Sequence, residues 1–192
     1  CFMFYDEKIL LEIRLNILNE FIDYFVIVES KYFHNGLERK LNFNINDYPK
    51  FKDKIIYIIH ENISTKLQNI DKKDDEETRT FKLNFNAHIR ENDQRNYITK
   101  GLKNADDNDF ILISDVDEIP KLENLNLFKI KNKIVMFEQN IFYYKLNRYL
   151  PNFTWYGTKA CKKKDLITPQ WLRNIKNNKY SFLIFDTFFS KK

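Results

Sequence analysis

Three acidic residues, Asp115, Asp117 and Glu118, directly follow the apolar run FILIS at residues 110–114. Like charges this close repel one another, and burying them is costly unless a positive group lies between them. On an extended backbone, Asp115 and Asp117 point their carboxylates to the same side. Such oxygen ligands suit Mg²⁺ or Mn²⁺, which usually take one or two protein carboxylates together with substrate phosphate oxygens. The pattern predicts a divalent metal bound by Asp115 and Asp117.

Two other interpretations of these acids stay open. The acids could instead cap a turn or helix near Pro120 and Lys121. Phosphatases of the haloacid-dehalogenase type also carry two aspartates in this pattern after an apolar strand, and there the first aspartate attacks phosphorus. That class has Thr or Val two positions after the second aspartate, where this chain has Ile119, and needs a downstream acidic pair that residues 121–192 lack. We therefore favour the metal site.

The elements that position the acids follow from apolar periodicity. Continuous apolar runs predict buried strands, and spacings of three and four predict helices. An acid-rich stretch, DKKDDEE, predicts a solvated loop over residues 61–86. The predicted strands are residues 1–5, 24–30, 54–60 and 110–114, the predicted helices are 8–22 and 88–105, and the apolar face of the first helix is Leu10, Ile13, Ile17, Leu18 and Phe21.

This order of elements predicts an α/β fold with a mostly parallel sheet and helices on both faces. Residues 134–149, followed by a turn at 150–157, predict a C-terminal antiparallel hairpin. In open α/β sheets, ligands bind beyond the carboxyl ends of the strands. Asp6 and Glu7 follow one strand and the acids at 115–118 follow another, so we expect both groups to face one crevice. Neither a GxGxxG nor a P-loop pattern is present.

Composition narrows the function classes. A net charge of +5 favours anionic ligands, and no basic run alternates with aromatic residues as in RNA-binding sheets, so we expect no nucleic-acid partner. The two cysteines, Cys1 and Cys161, form no CxxC pair, which favours a reducing compartment and a cytoplasmic location. No run approaches 18 apolar residues, so no membrane segment is expected in this chain.

Six phrases of the sequence, in this order, resemble glycosyltransferase family 17, which includes β-1,4-mannosyl-glycoprotein N-acetylglucosaminyltransferases. They are FYDEKILLEIRLNIL (4–18), DYFVIVES (23–30), RENDQRNYITKGL (90–102), FILISDVDEIP (110–120), YYKLN (143–147) and WYGTKA (155–160). The resemblance implies a single glycosyltransferase domain over residues 1–192. Its nucleotide-sugar half would be 1–120 and its acceptor-side part 121–192.

The resemblance also implies a GT-A-type fold, bound Mn²⁺ or Mg²⁺, and inverting transfer of a sugar, N-acetylglucosamine, from a UDP-sugar donor to a glycan acceptor. Asp115 and Asp117 would hold the metal. Residues implied to contact nucleotide or ribose are Asp6, Glu7, Glu29, Arg95 and Asp115.

Residues beyond these are weaker candidates. Glu138 and Asp186 are carboxylates that could act as the catalytic base. Trp155 is either a core residue or a platform on which an acceptor sugar stacks. Family members continue with a Gly-Trp-His segment where this chain reads NNKYSFLIFDTFFSKK, so we expect a truncated acceptor-side part. An inactive nucleotide-sugar-binding remnant and a metal-dependent nucleotidyltransferase remain alternatives.

Overall fold

A parallel three-stranded sheet forms the N-terminal part of the protein. The computed structural model describes residues 1–144, 147–151 and 153–177. Strands β1 (Phe2–Phe4), β2 (Phe25–Ser30) and β3 (Ile55–His60) lie side by side in that order. Phe2 pairs with Ile27, which in turn pairs with Tyr57. All three strands were predicted within two residues, because apolar runs covered on both faces are readily recognised.

A second sheet contains β4 (Phe110–Ile113), β5 (Ile134–Met136) and β6 (Lys159–Lys162), with β6 in the centre and antiparallel to both neighbours. The prediction of a mostly parallel sheet is therefore only partly right. Two main-chain hydrogen bonds join the sheets. The Cys1 nitrogen donates to the Leu112 carbonyl at 2.8 Å, and the Ser114 nitrogen donates to the Cys1 carbonyl at 3.3 Å. The chain thus brings β4 alongside β1.

Helices cover both faces of the parallel sheet, as predicted. Helix α1 (Lys8–Leu18) packs Leu11 and Leu15 against Phe2, Phe4 and Ile27. On the other face, the 3₁₀ helix Tyr97–Leu102 packs against β2. It continues α2 (Glu76–Asn96), and α3 (Pro169–Asn174) contacts α2 and β6. The remaining 3₁₀ helices are Ile45–Asp47, Pro49–Lys54, Leu127–Lys129 and Lys163–Asp165.

The loop predicted over residues 61–86 is wrong for its second half, where α2 begins at Glu76. The Asp75 carboxylate accepts a hydrogen bond from the Thr78 nitrogen at 2.7 Å, which satisfies an amide at the start of the helix. Glu76 and Glu77 then lie in the first turn, where negative charge is favourable. Three of the acids that suggested a solvated loop, at residues 75–77, therefore mark the start of helix α2.

The predicted apolar face of α1 is rotated in the structure. Ile17 and Phe21 are exposed, whereas Leu11, Leu15 and the charged Arg14 are buried. The reason is that Arg14 turns inward to bond the segment after β4, and the helix rotates with it.

The antiparallel hairpin is confirmed, but its turn lies elsewhere. Beyond β5 and β6, Gln139 pairs with Trp155 and Phe142 pairs with Tyr149. Residues 150–157, predicted as the turn, therefore lie mostly on the returning arm. In the described part of the chain, no helix combines the length and apolarity needed to span a bilayer.

Candidate active site

The acidic segment, residues 115–118, follows the carboxyl end of β4, and the Arg14 side chain on its buried side fixes its position. One Arg14 nitrogen, Nη1, donates to the carbonyls of Asp115 at 3.0 Å, Val116 at 3.2 Å and Glu118 at 2.9 Å. The other, Nη2, donates to the Ser114 hydroxyl at 2.5 Å. One side chain of α1 thus fixes the path of the whole segment.

Arg14 is 2% exposed, and its guanidinium lies 4.6 Å from the ring centroid of Phe2. Burial lowers the pKa of Arg14 to about 10, while the charges of Glu118, Asp117 and Asp115 act in the opposite direction. The group remains protonated at neutral pH. The buried Arg14 cation therefore lies close to three carboxylates. It supplies part of the positive charge that these closely spaced acids require.

Glu118 turns back into the protein and closes the segment. Its Oε2 accepts a hydrogen bond from the Asp115 nitrogen at 2.8 Å, and its Oε1 accepts one from the Trp155 indole nitrogen at 2.7 Å. The Thr158 hydroxyl donates to the Glu118 carbonyl at 2.9 Å. Of the three acids, Glu118 therefore closes a turn over residues 115–118, which lies before the turn near Pro120 and Lys121 that the capping alternative expected.

Asp115 lies between two arginines. Its Oδ1 is 3.2 Å from Arg95 Nη2, and its Oδ2 is 2.7 Å from Arg173 Nη2. The same Arg173 nitrogen also lies 2.7 Å from Glu118 Oε1. Burial lowers the pKa of Arg173, but the charges of Asp115 and Glu118 outweigh it and the pKa is raised overall. The Asp115 side chain is still 38% exposed, so one side of it faces solvent.

Arg95 is anchored on α2. It donates to Glu91 at 2.9 Å and to the Gln170 side chain of α3, besides its contact with Asp115. It is 3% exposed, so Arg95 is not a surface residue of the helix. Its predicted contact with nucleotide stays a prediction, and its observed role is to link α2, α3 and the acidic segment.

Asp117 differs from its neighbours because it is exposed and forms no ion pair or side-chain hydrogen bond with any described residue. Although the residue is exposed, its carboxyl is partly shielded from water, and this desolvation and then the nearby charge of Glu118 raise its pKa. No group of three or more His, Cys, Asp or Glu side chains within the described residues is arranged to hold a metal. The site fits only a cation that takes one or two carboxylates and completes its shell elsewhere, as Mg²⁺ does.

Glu29, at the end of β2, is fully buried among donors. It accepts hydrogen bonds from Arg39 Nη2 at 2.7 Å, the Asn42 nitrogen at 2.7 Å, the Phe43 nitrogen at 3.1 Å and the Tyr57 hydroxyl at 2.8 Å. In the structure it ties the loop after β2 to the sheet. Its contact with nucleotide stays a prediction.

Replacing Glu29 with glutamine tests the tying role. An amide cannot accept from four donors, because its NH₂ would face at least one of them, and the Arg39 charge would lose its buried partner. We expect the free energy of unfolding to fall by about 3 kcal/mol, in the range for breaking a buried ion pair. Urea denaturation measures this, with the exposed Glu61→Gln as control. An unchanged midpoint would contradict the assignment.

A small cavity of about 150 Å³ lies at the carboxyl ends of β2 and β3, lined by Ser30, His60 and Arg90 among others. The Ser30 hydroxyl and His60 Nδ1 are 3.2 Å apart, and burial lowers the pKa of His60. Ligand pockets usually measure about 300–1,000 Å³, so this cavity is too small for a nucleoside diphosphate. The open region over the acidic segment is the better candidate.

The remaining predicted residues are not drawn into one cluster. Asp6 is exposed, and Glu7 accepts hydrogen bonds from the Tyr5 and Asp6 nitrogens at 3.0 and 3.2 Å. Glu138 is exposed on the hairpin, and no hydrogen bond among the described residues joins it to the acidic segment. Trp155 is 40% exposed. Asp186 lies outside the described residues.

Comparison with protein families identifies the family of the chain. The model of glycosyltransferase family 17 matches residues 1–165, well over half of the chain. The chain belongs to glycosyltransferase family 17. Membership makes it a glycosyltransferase, and that reaction requires a sugar donor and an acceptor. No curated protein and no solved structure matches the chain.

Three functional residues escaped sequence reasoning in this family 17 protein: Arg14, Arg173 and Gly157. A charged residue between Leu11 and Leu18, on the buried face of α1, was a signal for Arg14. Gly157 permits close packing, because a Cβ there would lie 2.5 Å from the Glu118 carboxyl carbon. Nothing in the sequence around Arg173 pointed to the acidic segment, which is 55 residues away.

Proposed function

We propose that this protein transfers a sugar, N-acetylglucosamine, from a UDP-sugar to a hydroxyl of a glycan, with inversion at the anomeric carbon. The observation that carries the proposal is the position of the acidic segment. It lies at the carboxyl end of β4, beside β1, with the Asp117 carboxylate unpaired among the described residues and Asp115 open on one side. Family 17 membership supports the reaction class.

A GT-A-type arrangement is part of the proposal. Support for it comes from the parallel sheet and from the hydrogen bonds that Cys1 makes with the end of β4, since nucleotides bind in a crevice at the carboxyl ends of the strands in open α/β sheets. Asp6 and Glu7 at the end of β1 are the proposed contacts for the nucleotide from that side. Glu29 and Arg95, which are buried, would act mainly by holding the walls of the crevice.

Asp117, with the exposed side of Asp115, would hold Mn²⁺ or Mg²⁺. When bound, such a cation acts as a Lewis acid that offsets the charge on the departing UDP. The protein's own contribution is electrostatic preorganisation, since Arg14 and Glu118 fix the acidic segment before any ligand arrives. Glu118 also holds the Trp155 indole by its nitrogen, and the exposed ring is the proposed platform for the acceptor sugar.

The catalytic base is proposed among carboxylates outside this network, with Glu138 and Asp186 as candidates. A base must come within hydrogen-bond reach of the acceptor hydroxyl in the complex. Replacement of each carboxylate by its amide identifies the base, because that variant loses transfer and keeps donor binding.

A reducing, cytoplasmic location is also part of the proposal. Both cysteines, Cys1 and Cys161, have free thiols, which supports it.

The deciding experiment offers the purified protein a panel of UDP-sugars and glycan acceptors, with Mn²⁺ or with EDTA. We expect release of UDP and a glycosylated product with UDP-N-acetylglucosamine, and loss of both in EDTA. UDP binding without turnover would indicate the inactive remnant. Release of pyrophosphate from a nucleoside triphosphate would indicate a nucleotidyltransferase. Equal UDP affinity in Mn²⁺ and in EDTA would contradict the metal bridge.

A further inference from the structure

Arg173 is the arginine of the site that stands nearest to solvent. Its side chain is 14% exposed, against 4% for Arg95. It comes from α3, which lies beyond the residues matched by the family model. One nitrogen bridges Asp115 and Glu118, and the other, Nη1, donates to the Gly157 carbonyl at 2.6 Å. It therefore ties the acidic segment to Gly157, while part of Asp115 stays exposed.

The backbone that carries Arg173 is fixed by contacts that do not involve its guanidinium. Thr168 caps α3 by accepting from the Trp171 nitrogen at 3.0 Å, and the Gln170 nitrogen donates to the Asn96 side chain at 2.9 Å. The Lys159 ammonium donates to the carbonyls of Arg173 and Ile175 at the end of the helix. Burial, and then the charge of Arg173, lower the pKa of Lys159 to about 8.

Acidic and basic side chains are mixed at the ligand-free site. They are Glu91, Asp115, Asp117 and Glu118 on one side and Arg14, Arg95, Lys159 and Arg173 on the other. A divalent cation alone would add two positive charges beside Arg173 and would compete with it for Asp115. A diphosphate arriving with the cation removes that conflict, because it offers the guanidinium a new anionic partner. Arginine suits phosphate through its paired N–H donors.

We infer that Arg173 holds the acidic segment in the ligand-free protein and binds the donor's diphosphate when the donor and metal arrive. The inference rests on the proposed function. Arg14 cannot take this part, because it is only 2% exposed and is too deeply buried to meet a ligand from solvent. Arg95 is locked between Glu91 and Gln170. Only Arg173 of the three combines exposure with a bond to the exposed carboxylate.

The inference predicts opposite effects on two ligands. In Arg173→Gln, Asp115 loses its competitor, so affinity for Mn²⁺ alone should rise severalfold. Affinity for UDP in saturating Mn²⁺ should fall about tenfold to a hundredfold, as expected for a lost hydrogen bond to a charged group. Affinity for uridine, which has no phosphate, should stay unchanged. Arg173→Lys keeps a cation and should lose less UDP affinity than the glutamine variant.

Calorimetry measures the three affinities, for Mn²⁺, uridine and UDP. The exposed Arg79→Gln of α2 is the matched control, and circular dichroism checks that each variant folds. Joint weakening of Mn²⁺ and UDP binding, unchanged UDP affinity, or failure of both Arg173 variants to fold would each overturn the inference and make Arg173 a permanent clamp. Wild-type protein that binds no UDP would overturn the proposed function itself, and with it this inference.

Discussion

The Asp117→Asn variant is expected to lose sugar transfer and metal-dependent UDP binding while its metal-free fold stays at least as stable as wild type. Asparagine keeps the volume of the side chain and removes the charge. Burial and the charge of Glu118 raise the pKa of Asp117, so its negative charge is less favourable in the folded protein than in the unfolded chain. Removing that charge relieves the repulsion, but it also removes the carboxylate that is free to bind a cation.

Thermal melting of wild type, Asp117→Asn and Asp117→Ala, each with and without Mn²⁺ plus UDP, measures both effects. The wild type should gain stability from the ligands and the two variants should not. The exposed Asp107→Asn, in the loop before β4, controls for loss of a surface carboxylate. If both Asp117 variants melt early without ligand and still gain stability with it, Asp117 belongs to a structural turn.

The second large effect is expected at Arg14. Arg14→Met keeps the apolar stem in the core but leaves the carbonyls of Asp115, Val116 and Glu118 without their donor. Each unsatisfied buried acceptor costs about 1–3 kcal/mol. Loss of the buried charge, whose Nε has no partner among the described residues, offsets part of this cost. We expect the free energy of unfolding to fall by about 3 kcal/mol and transfer to disappear.

Urea denaturation of Arg14→Met and of the exposed control Arg79→Met measures the loss of stability. Calorimetry with UDP and Mn²⁺ measures whether the variants still bind the donor nucleotide. The control should differ from wild type by less than about 0.5 kcal/mol, as most surface changes do. A stable Arg14→Met protein with full UDP affinity would show that the acidic segment holds its shape without this support.

The strands were predictable because each is a short continuous apolar run, and that pattern is local. Strand β2 is such a run, and all six of its residues are buried. The acidic segment was predictable for the same reason, as it directly follows such a run. Helix α2 was placed too late because its first turn is acidic, and acids serve a helix start as well as they serve a loop.

The partners of the acids could not be predicted. The spacing of Asp115, Asp117 and Glu118 demanded positive charge, and we assigned that charge to a metal. The structure shows guanidinium groups from three helices beside the acids, of which Arg14 is about a hundred residues away in sequence. Such contacts depend on the rotation of α1 and on the placement of α3, neither of which follows from local periodicity.

The distance along the chain between Arg14 and the acidic segment also governs when the site can form. The contacts of Arg14 span 100–104 residues, and the bond from Cys1 to Leu112 spans 111. Contacts of this length close late and slow folding, since the chain loses loop entropy before it gains the contact. On the ribosome, β1 and α1 emerge long before β4. Until β4 and the acidic segment follow, Arg14 lacks the carbonyls to which it donates in the folded protein. We expect the donor site to appear only in the last phase of folding, together with the docking of β4 on β1.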